Sequence, residues 1–98
     1  MNQSLVQLDK DLPILFSNRP NPFRDQTTLR FNLLSDEYLT IQIVDVAGQA
    51  LYRQSLFLKA GYQEIVVKRD QLNAEGVLFC QLTTTKGTVT QKLLLLSQ

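Results

Sequence analysis

The stretch YLTIQIVDVAG, residues 38–48, decides the fold of this 98-residue chain. Its apolar and polar residues alternate, which is typical of a β-strand with one face in a core and the other in solvent. The inward set is Leu39, Ile41 and Ile43, and the outward set is Thr40 and Gln42. The stretch therefore predicts a half-buried strand over Tyr38–Val46.

The same stretch ends in a tight turn. Asp45 stands at the first position of a type I turn, where its side chain can accept a backbone N–H, and Gly48 stands at the fourth, where a positive φ costs little. The turn predicts a hairpin partner over Ala50–Leu58. A catalytic carboxylate at Asp45 is the other interpretation, but a turn cap explains both residues without further assumptions.

Short apolar stretches repeat on both sides of this hairpin at roughly 8–12-residue spacing, as in all-β sandwiches. Further strands are expected over Leu12–Phe16, Thr27–Leu33, Gln63–Val67, Val77–Thr83 and Thr88–Leu96. Prolines at Pro20 and Pro22 should end the first, and Lys86-Gly87 suits a tight turn between the last two. The sequence thus predicts an all-β, immunoglobulin-like or fibronectin-like antiparallel β-sandwich of about seven strands.

Length and composition limit the organisation and the chemistry. A chain of 98 residues, 44% hydrophobic and 19% charged, has the size of one domain and should fold. Residues 1–10 have no pattern and are interpreted as a linker or cloning remainder, and residues 11–98 as the sandwich.

A net charge of +1 argues against nucleic acid as a partner. No transmembrane segment or secretory signal is expected, because Leu93–Leu96 and Met1–Lys10 are too short or too polar.

Catalytic and cofactor chemistry have little support. The chain has no histidine and a single cysteine, so the commonest general base, the usual zinc ligand sets and an intrachain disulfide are missing. We expect no catalytic residue, no metal site and no cofactor. Cys80 alternates with Leu78 and Leu82, which predicts a buried, inert thiol.

Other side chains leave alternatives open. Tyr38, Tyr52 and Tyr62 could form a sugar-binding platform, but their scatter over several strands favours structural roles at strand ends and sheet edges. Leu72, framed by turn formers, should plug one end of the core. The basic residues are expected on a solvated face, and they are Arg53, Lys59, Lys68 and Arg69.

The terminal run Lys92–Leu96 poses a separate question. Its leucines cannot all enter one core if only one face of the strand is covered. Either the strand is buried on both sides, or it offers apolar surface to a partner. A last strand with a free edge could also accept an added strand from another protein.

Six short motifs follow one another from about Leu12 to the carboxyl end. They are Asn21-Pro22-Phe23, Thr27–Phe31, Ile43–Gly48, Leu58–Gly61, Leu72 with Gly76-Val77, and Lys92-Leu93. In this order they resemble the type IX secretion system C-terminal sorting domain of the Bacteroidetes, type A. Two residues depart from the family pattern: Leu78 stands where an aromatic residue is usual, and Cys80 replaces an aliphatic or aromatic one.

The resemblance implies roles for particular residues. Asn21 and Pro22 match the family's N-P turn, and Asp45 and Gly48 match its D-x-x-G hairpin. Gly61 matches its strand opener. Leu72 and Gly76 match its L-x-x-x-G turn, and the terminal strand needed by the export machinery matches Lys92, Leu93, Leu94 and Leu95.

The resemblance also implies a function. The chain would be a non-catalytic address at the end of a larger cargo protein, read by the type IX translocon on the way from the periplasm across the outer membrane. A sortase-like peptidase would remove it, with the cut within residues 1–10 or upstream, and the cargo would be secreted or attached to the cell surface.

A prediction and two alternatives follow. Deleting Lys92–Gln98, or placing a charge at Leu93 or Leu95, should retain a fused cargo in the periplasm. The first alternative is an immunoglobulin-like or fibronectin-like binding or spacer module of an extracellular enzyme or adhesin, with carbohydrate as a candidate ligand. An enzyme is the second, and it has the least support. An edge-strand dimer stays open.

Overall fold

A computed structural model describes residues 12–98 of the chain. The interpretation of residues 1–10 as a linker therefore lies outside the described residues. Seven strands follow in order: β1 (Ile14–Arg19), β2 (Gln26–Leu33), β3 (Glu37–Asp45), β4 (Ala50–Leu58), β5 (Gly61–Lys68), β6 (Gly76–Thr84) and β7 (Gly87–Leu95). A short 3₁₀ turn over Arg69–Gln71 lies between β5 and β6. The predicted number and type of elements are confirmed.

The strands form two antiparallel sheets that pack face to face. The three-stranded sheet has the order β1-β2-β5, and the four-stranded sheet has the order β4-β3-β6-β7. Inward residues of both sheets form one apolar core, as the alternating pattern predicts. Members that are fully buried include Leu29, Phe31, Ile41, Ile43, Leu78, Cys80, Leu82 and Leu93. The predicted all-β sandwich is confirmed.

The first strand differs from the prediction. It begins at Ile14 and continues to Arg19, whereas the sequence placed it over Leu12–Phe16. A register irregularity between Phe16 and Arg19 lets pairing with β2 continue toward the prolines. Asn18 is buried there and donates to the Thr27 hydroxyl at 2.8 Å, which replaces the regular ladder with a side-chain contact.

The last hairpin also differs, by one residue. Thr84 pairs with Gly87, so the two-residue loop is Thr85-Lys86 and Gly87 already belongs to β7. Gly87 has a φ of 142°, and a Cβ on it would come within 2.9 Å of Leu12 Cδ2. Glycine is therefore needed here for a positive φ and for the close approach of the chain before β1.

The turn that closes the β3–β4 hairpin forms as predicted. The Gly48 N–H donates to the Asp45 carbonyl at 3.0 Å, and Gly48 has a φ of 85°. The Asp45 carboxylate accepts the N–H groups of Ala47 and Gln49 at 3.0 and 2.9 Å. Asp45 is thus a turn cap, which accounts for its presence without any catalytic role.

The described residues 12–98 contain no helical segment with the length and hydrophobicity of a membrane span.

Candidate recognition surface

The terminal strand β7 is the outermost strand of the four-stranded sheet. Its side chains alternate: Leu93 and Leu95 are 0% and 1% exposed and lie in the core, whereas Lys92 is exposed and Leu94 is half-buried on the outer face. Leu96 follows the strand and is also half-buried. The strand is not buried on both sides, because its outer face carries the exposed Lys92 and the half-buried Leu94. The alternative, apolar surface offered to a partner, stays a prediction. Leu94 and Leu96, and not Leu93 and Leu95, are the leucines that a partner could contact.

The turn Asn21-Pro22-Phe23 covers the carboxyl half of the outer edge of β7. Phe23 forms a parallel bridge with Leu95, donating its N–H to the Leu94 carbonyl at 3.0 Å and accepting the Leu96 N–H at 2.8 Å. The Asn21 side-chain oxygen accepts the Leu94 N–H at 3.0 Å. The Asn21 side chain and the Phe23 backbone are therefore the partners of the terminal strand in this turn. We call this side of the sandwich, between β1 with its following turn and β7, the closed seam.

Two arginines extend the closed seam beyond β7. Arg69 donates to the carbonyls of Leu96 and Arg24 and pairs with Glu75 at 3.2 Å. Arg24 in turn donates to the Ser97 carbonyl. The expectation of a solvated Arg69 is wrong, since its side chain is only 16% exposed. A planar guanidinium with five donors can reach several carbonyls at once, and the charge pattern of the sequence gave no signal of this.

The Leu72–Gly76 motif forms the corner next to this end of β7. Leu72 is 1% exposed and closes the end of the core, as predicted. Its N–H donates to the Arg69 carbonyl at 2.9 Å, so the corner also fixes the backbone that carries the arginine. Gly76 begins β6, and Gly61 begins β5 in the same manner.

The opposite side of the sandwich, between β4 and β5, is built differently, and we call it the open seam. Among the described strands, β4 pairs only with β3, and β5 pairs only with β2. The two strands are joined by the arch Lys59-Ala60 but lie in different sheets. Asp36 holds the arch, accepting the Ala60 N–H at 2.8 Å and the Lys59 ammonium at 3.3 Å. These contacts keep the pKa of the Asp36 carboxyl below its ordinary value of 3.8, the Ala60 N–H being the main cause.

The tyrosines do not gather on one surface. Tyr38 contacts Phe57 on the outer face of the four-stranded sheet, with ring centroids 4.9 Å apart. Tyr62 lies on the other sheet, 6.1 Å from Phe16. Tyr52 is half-buried and packs against the core. The structural interpretation of these residues fits their positions better than a single sugar-binding platform does.

Reactive groups in the described part of the chain offer little chemistry. Burial raises the pKa of the Cys80 thiol to about 12, so the predicted inert thiol agrees with its site. Across residues 12–98, no three His, Cys, Asp or Glu side chains come together in a way that could hold a metal ion.

A likeness to a solved structure supports the fold. The chain superposes on part of the crystal structure of dimeric latent PorU from Porphyromonas gingivalis with a TM-score of 0.63 and 17% sequence identity. The match covers 89% of this chain and 9% of that one, so this chain spans about a tenth of its neighbour's length. At this identity the likeness concerns the fold alone.

The family follows from the sequence. No curated protein matches the chain. The family described as the secretion system C-terminal sorting domain matches residues 19–96, which contain all seven strands apart from most of β1. The match includes the Asn21-Pro22 turn, the Asp45 hairpin, the Leu72 corner and β7. This chain belongs to the family of type IX secretion C-terminal sorting domains.

Proposed function

We propose that this chain is a non-catalytic sorting domain of type A, which directs a cargo preceding it across the outer membrane and is afterwards removed by a sortase-like peptidase. Family membership makes it a type IX sorting signal, attached to a larger cargo and acting with the type IX machinery to export it from the cell. Type A, the absence of catalysis, the cleavage and attachment to the cell surface are the proposed parts. An edge-strand dimer is proposed separately, and export is not expected to depend on it.

The observation that carries the proposal is that the two faces of β7 have different roles: one face anchors the strand in the core, and the other is accessible to a partner. Leu93 and Leu95 anchor the strand in the core, and the closed seam holds the following residues. Lys92 and Leu94 point outward from this fixed strand. A partner can therefore bind a preformed surface, and binding does not include the entropic cost of ordering a flexible strand.

Backbone recognition is restricted to the amino half of the strand. Leu94 directs its backbone N–H and C=O away from β6, toward Asn21 and Phe23, so the alternation of an antiparallel ladder makes Thr88, Thr90 and Lys92 do the same. Within the described residues, the backbone bonds across this edge are those to Phe23. An added strand would bind beside Thr88–Lys92. In this half of β7 the Gln91 side chain donates to the Phe16 carbonyl of β1 at 2.9 Å, and this bond leaves the outward backbone groups of β7 unpaired within the described residues.

The export test must separate recognition from folding. A charge at Leu93 or Leu95, as first suggested by the sequence, would place a carboxylate in the core and unfold the domain. The better variant is Lys92→Glu with Leu94→Gln, carried by a periplasmic reporter followed by this domain in a Bacteroidetes host. We expect the reporter to remain in the periplasm although the purified variant keeps the melting temperature of the wild type.

A matched control alters the other side of the sandwich. Arg53→Glu with Val66→Gln makes the same kinds of change at exposed positions of β4 and β5. This variant should export normally. Normal export of the β7 variant, or equal retention of both folded variants, would contradict the role assigned to β7.

Cleavage has its own test. Sequencing the new carboxyl end of the exported reporter should place the cut within residues 1–10 of this chain or upstream of them. An exported reporter that still carries the domain in a host with an active peptidase would contradict removal and leave the sorting role intact.

A further inference from the structure

The outer edge of β4 is built as a pairing edge. Its nine residues, ALYRQSLFL, contain one charge and neither proline nor glycine. Natural proteins usually protect such edges with prolines, lysines, bulges or a covering segment. The edge of β7 has a covering segment in Asn21–Phe23. Within residues 12–98, β4 pairs only with β3, and its bulge lies near one end, at Leu51 between the pairs Ile43–Tyr52 and Val44–Ala50.

We infer that β4 pairs antiparallel with β4 of a second copy of this chain, across a twofold axis at Gln54, so that the two four-stranded sheets become one eight-stranded sheet. The inference is independent of the sorting role, because it depends only on the edge and its residues. It specifies the edge through which the domain would dimerise.

The sequence of the edge is symmetric about Gln54. Two apolar residues, Leu51 and Tyr52, precede the polar centre, and two more, Leu56 and Phe57, follow it. A twofold axis requires a surface to be complementary to itself. With the axis at Gln54, Tyr52 faces Leu56 of the second copy on the core side. Leu51 is the extra residue of the bulge, so the regular pairing extends from Tyr52 to Leu56.

Charge selects the same register. With the axis at Gln54, Arg53 faces Ser55 of the second copy, so the single charge of the strand meets a neutral hydroxyl. With the axis at Arg53, two guanidinium groups would lie directly opposite each other, which destabilises a cross-strand pair. With the axis at Ser55, Gln54 would face Leu56, and polar and apolar positions would no longer match.

The core side of the edge gains most from a second strand. Tyr52, Leu56 and Leu58 pack against the core yet remain only half-buried, because no strand of the described part of the chain lies beyond β4. Gln54 points to the same side and is exposed, with its side-chain oxygen bound to the Tyr52 hydroxyl at 2.6 Å. A second β4 would cover the two apolar residues nearest the axis and pair the two Gln54 amides.

The alternative occupant is a strand of a different protein. Such a strand would need no relation to the sequence of β4, so a near-palindromic edge would be a coincidence. A second copy uses the symmetry at every position from Tyr52 to Leu56. We therefore assign the edge to a second copy of this chain.

The test compares oligomeric states of the complete chain by sedimentation velocity over a dilution series. The wild type should show a reversible monomer–dimer equilibrium. Gln54→Lys puts like charges opposite each other at the axis and should raise the dimer dissociation constant about tenfold or more. Gln81→Lys is the matched control, since Gln81 lies on the outer face of β6 away from the edge, and it should leave the dissociation constant unchanged.

A cysteine variant tests the register. Residues opposite each other in an antiparallel pair have Cα atoms about 4.5–5.5 Å apart, within reach of a disulfide. Gln54→Cys should therefore form a disulfide-linked dimer under mild oxidation, and Gln81→Cys should not. Cys80 is buried and does not compete.

Three outcomes would overturn the assignment. The first is a wild type that stays monomeric throughout the series. The second is a dimer with unchanged affinity in Gln54→Lys, and the third is a failure of Gln54→Cys to cross-link while the wild type dimerises. Circular dichroism and melting temperature of each variant show whether the monomer still folds, so a loss of dimer is not confused with unfolding.

Discussion

The two lateral sides of the sandwich solve the problem of an exposed sheet edge in different ways. At the closed seam, β7 is anchored by core leucines, bridged by Phe23 and bound by Arg69 at its end. At the open seam, β4 and β5 have no lateral partner strand in the described chain, and an arch held by Asp36 joins them. The closed seam thus depends on the backbone and the side chains of loops and turns, and the sandwich architecture alone does not provide it.

The largest difference between the seams should appear on truncating a leucine in each. Leu93→Ala removes a fully buried side chain and should lower the free energy of unfolding by about 2–5 kcal/mol. Leu56→Ala, at a half-buried edge position, should cost about 1 kcal/mol, because less apolar area is lost. Urea unfolding at a protein concentration where both variants are monomeric measures the two values. Equal costs would mean that the open seam is as well packed as the closed one.

The next largest change in the free energy of unfolding should come from replacing Arg69, which lies at the closed seam. Arg69→Ala leaves the Leu96 and Arg24 carbonyls without this donor and should cost about 1–3 kcal/mol. Arg69→Lys keeps the charge but not the planar fork, so we expect it to restore only part of the loss. Arg53→Ala at the open seam should change unfolding by less than about 0.5 kcal/mol. Full restoration of stability by lysine would show that the positive charge at position 69, and not the planar geometry of the guanidinium, holds the residues after β7.

Asn21 should produce a smaller effect of the same kind. Asn21→Ala removes the acceptor of the Leu94 N–H and should cost about 0.5–1.5 kcal/mol. Hydrogen exchange should show faster exchange at Leu94 in this variant. Asn32→Ala, on the outer face of β2, serves as the control and should leave Leu94 protected. Unchanged exchange at Leu94 in Asn21→Ala would show that another group protects that amide.

The smallest effect should come from pH at the open seam. The pKa of Asp36 is lowered in the folded state, so its stabilisation is present above the unfolded value and is lost as the pH falls through the folded one. Asp36→Asn should therefore weaken the loss of stability at acidic pH. Urea midpoints between about pH 6 and pH 3 measure this, with Asp70→Asn as the control in the exposed 3₁₀ turn. Identical acid profiles for the wild type and Asp36→Asn would contradict the role of this carboxylate.

Local pattern predicted most of the fold correctly. Alternation in β2, β3 and β6 placed the core residues, because a side chain of a strand can face only two directions. The errors were at the ends, in β1 and in the β6–β7 turn, where a side-chain contact or a neighbouring residue changes the local preference. The role of the terminal strand in recognition stays a prediction.

The candidate surface was harder to predict. The sequence pointed to Lys92–Leu95 as a group, but the side chains of Leu93 and Leu95 belong to the core, and the outer face carries Lys92 and Leu94. The sequence pattern did not identify Arg24 and Arg69 as partners of the terminal strand, because they donate hydrogen bonds to backbone carbonyls distant in the chain.

The amino-acid sequence by itself determined the strands, the capped turn at Asp45, the inert Cys80 and the family, because each depends on neighbours close in the chain or on an ordered set of motifs. Only the tertiary structure decided which sheet edge is covered and which remains open. The contacts that close β7 join residues far apart in the chain: Asn21 and Leu94 have a sequence separation of 73, and Arg69 and Leu96 one of 27. Such pairings arise when two sheets pack, and no local periodicity records them.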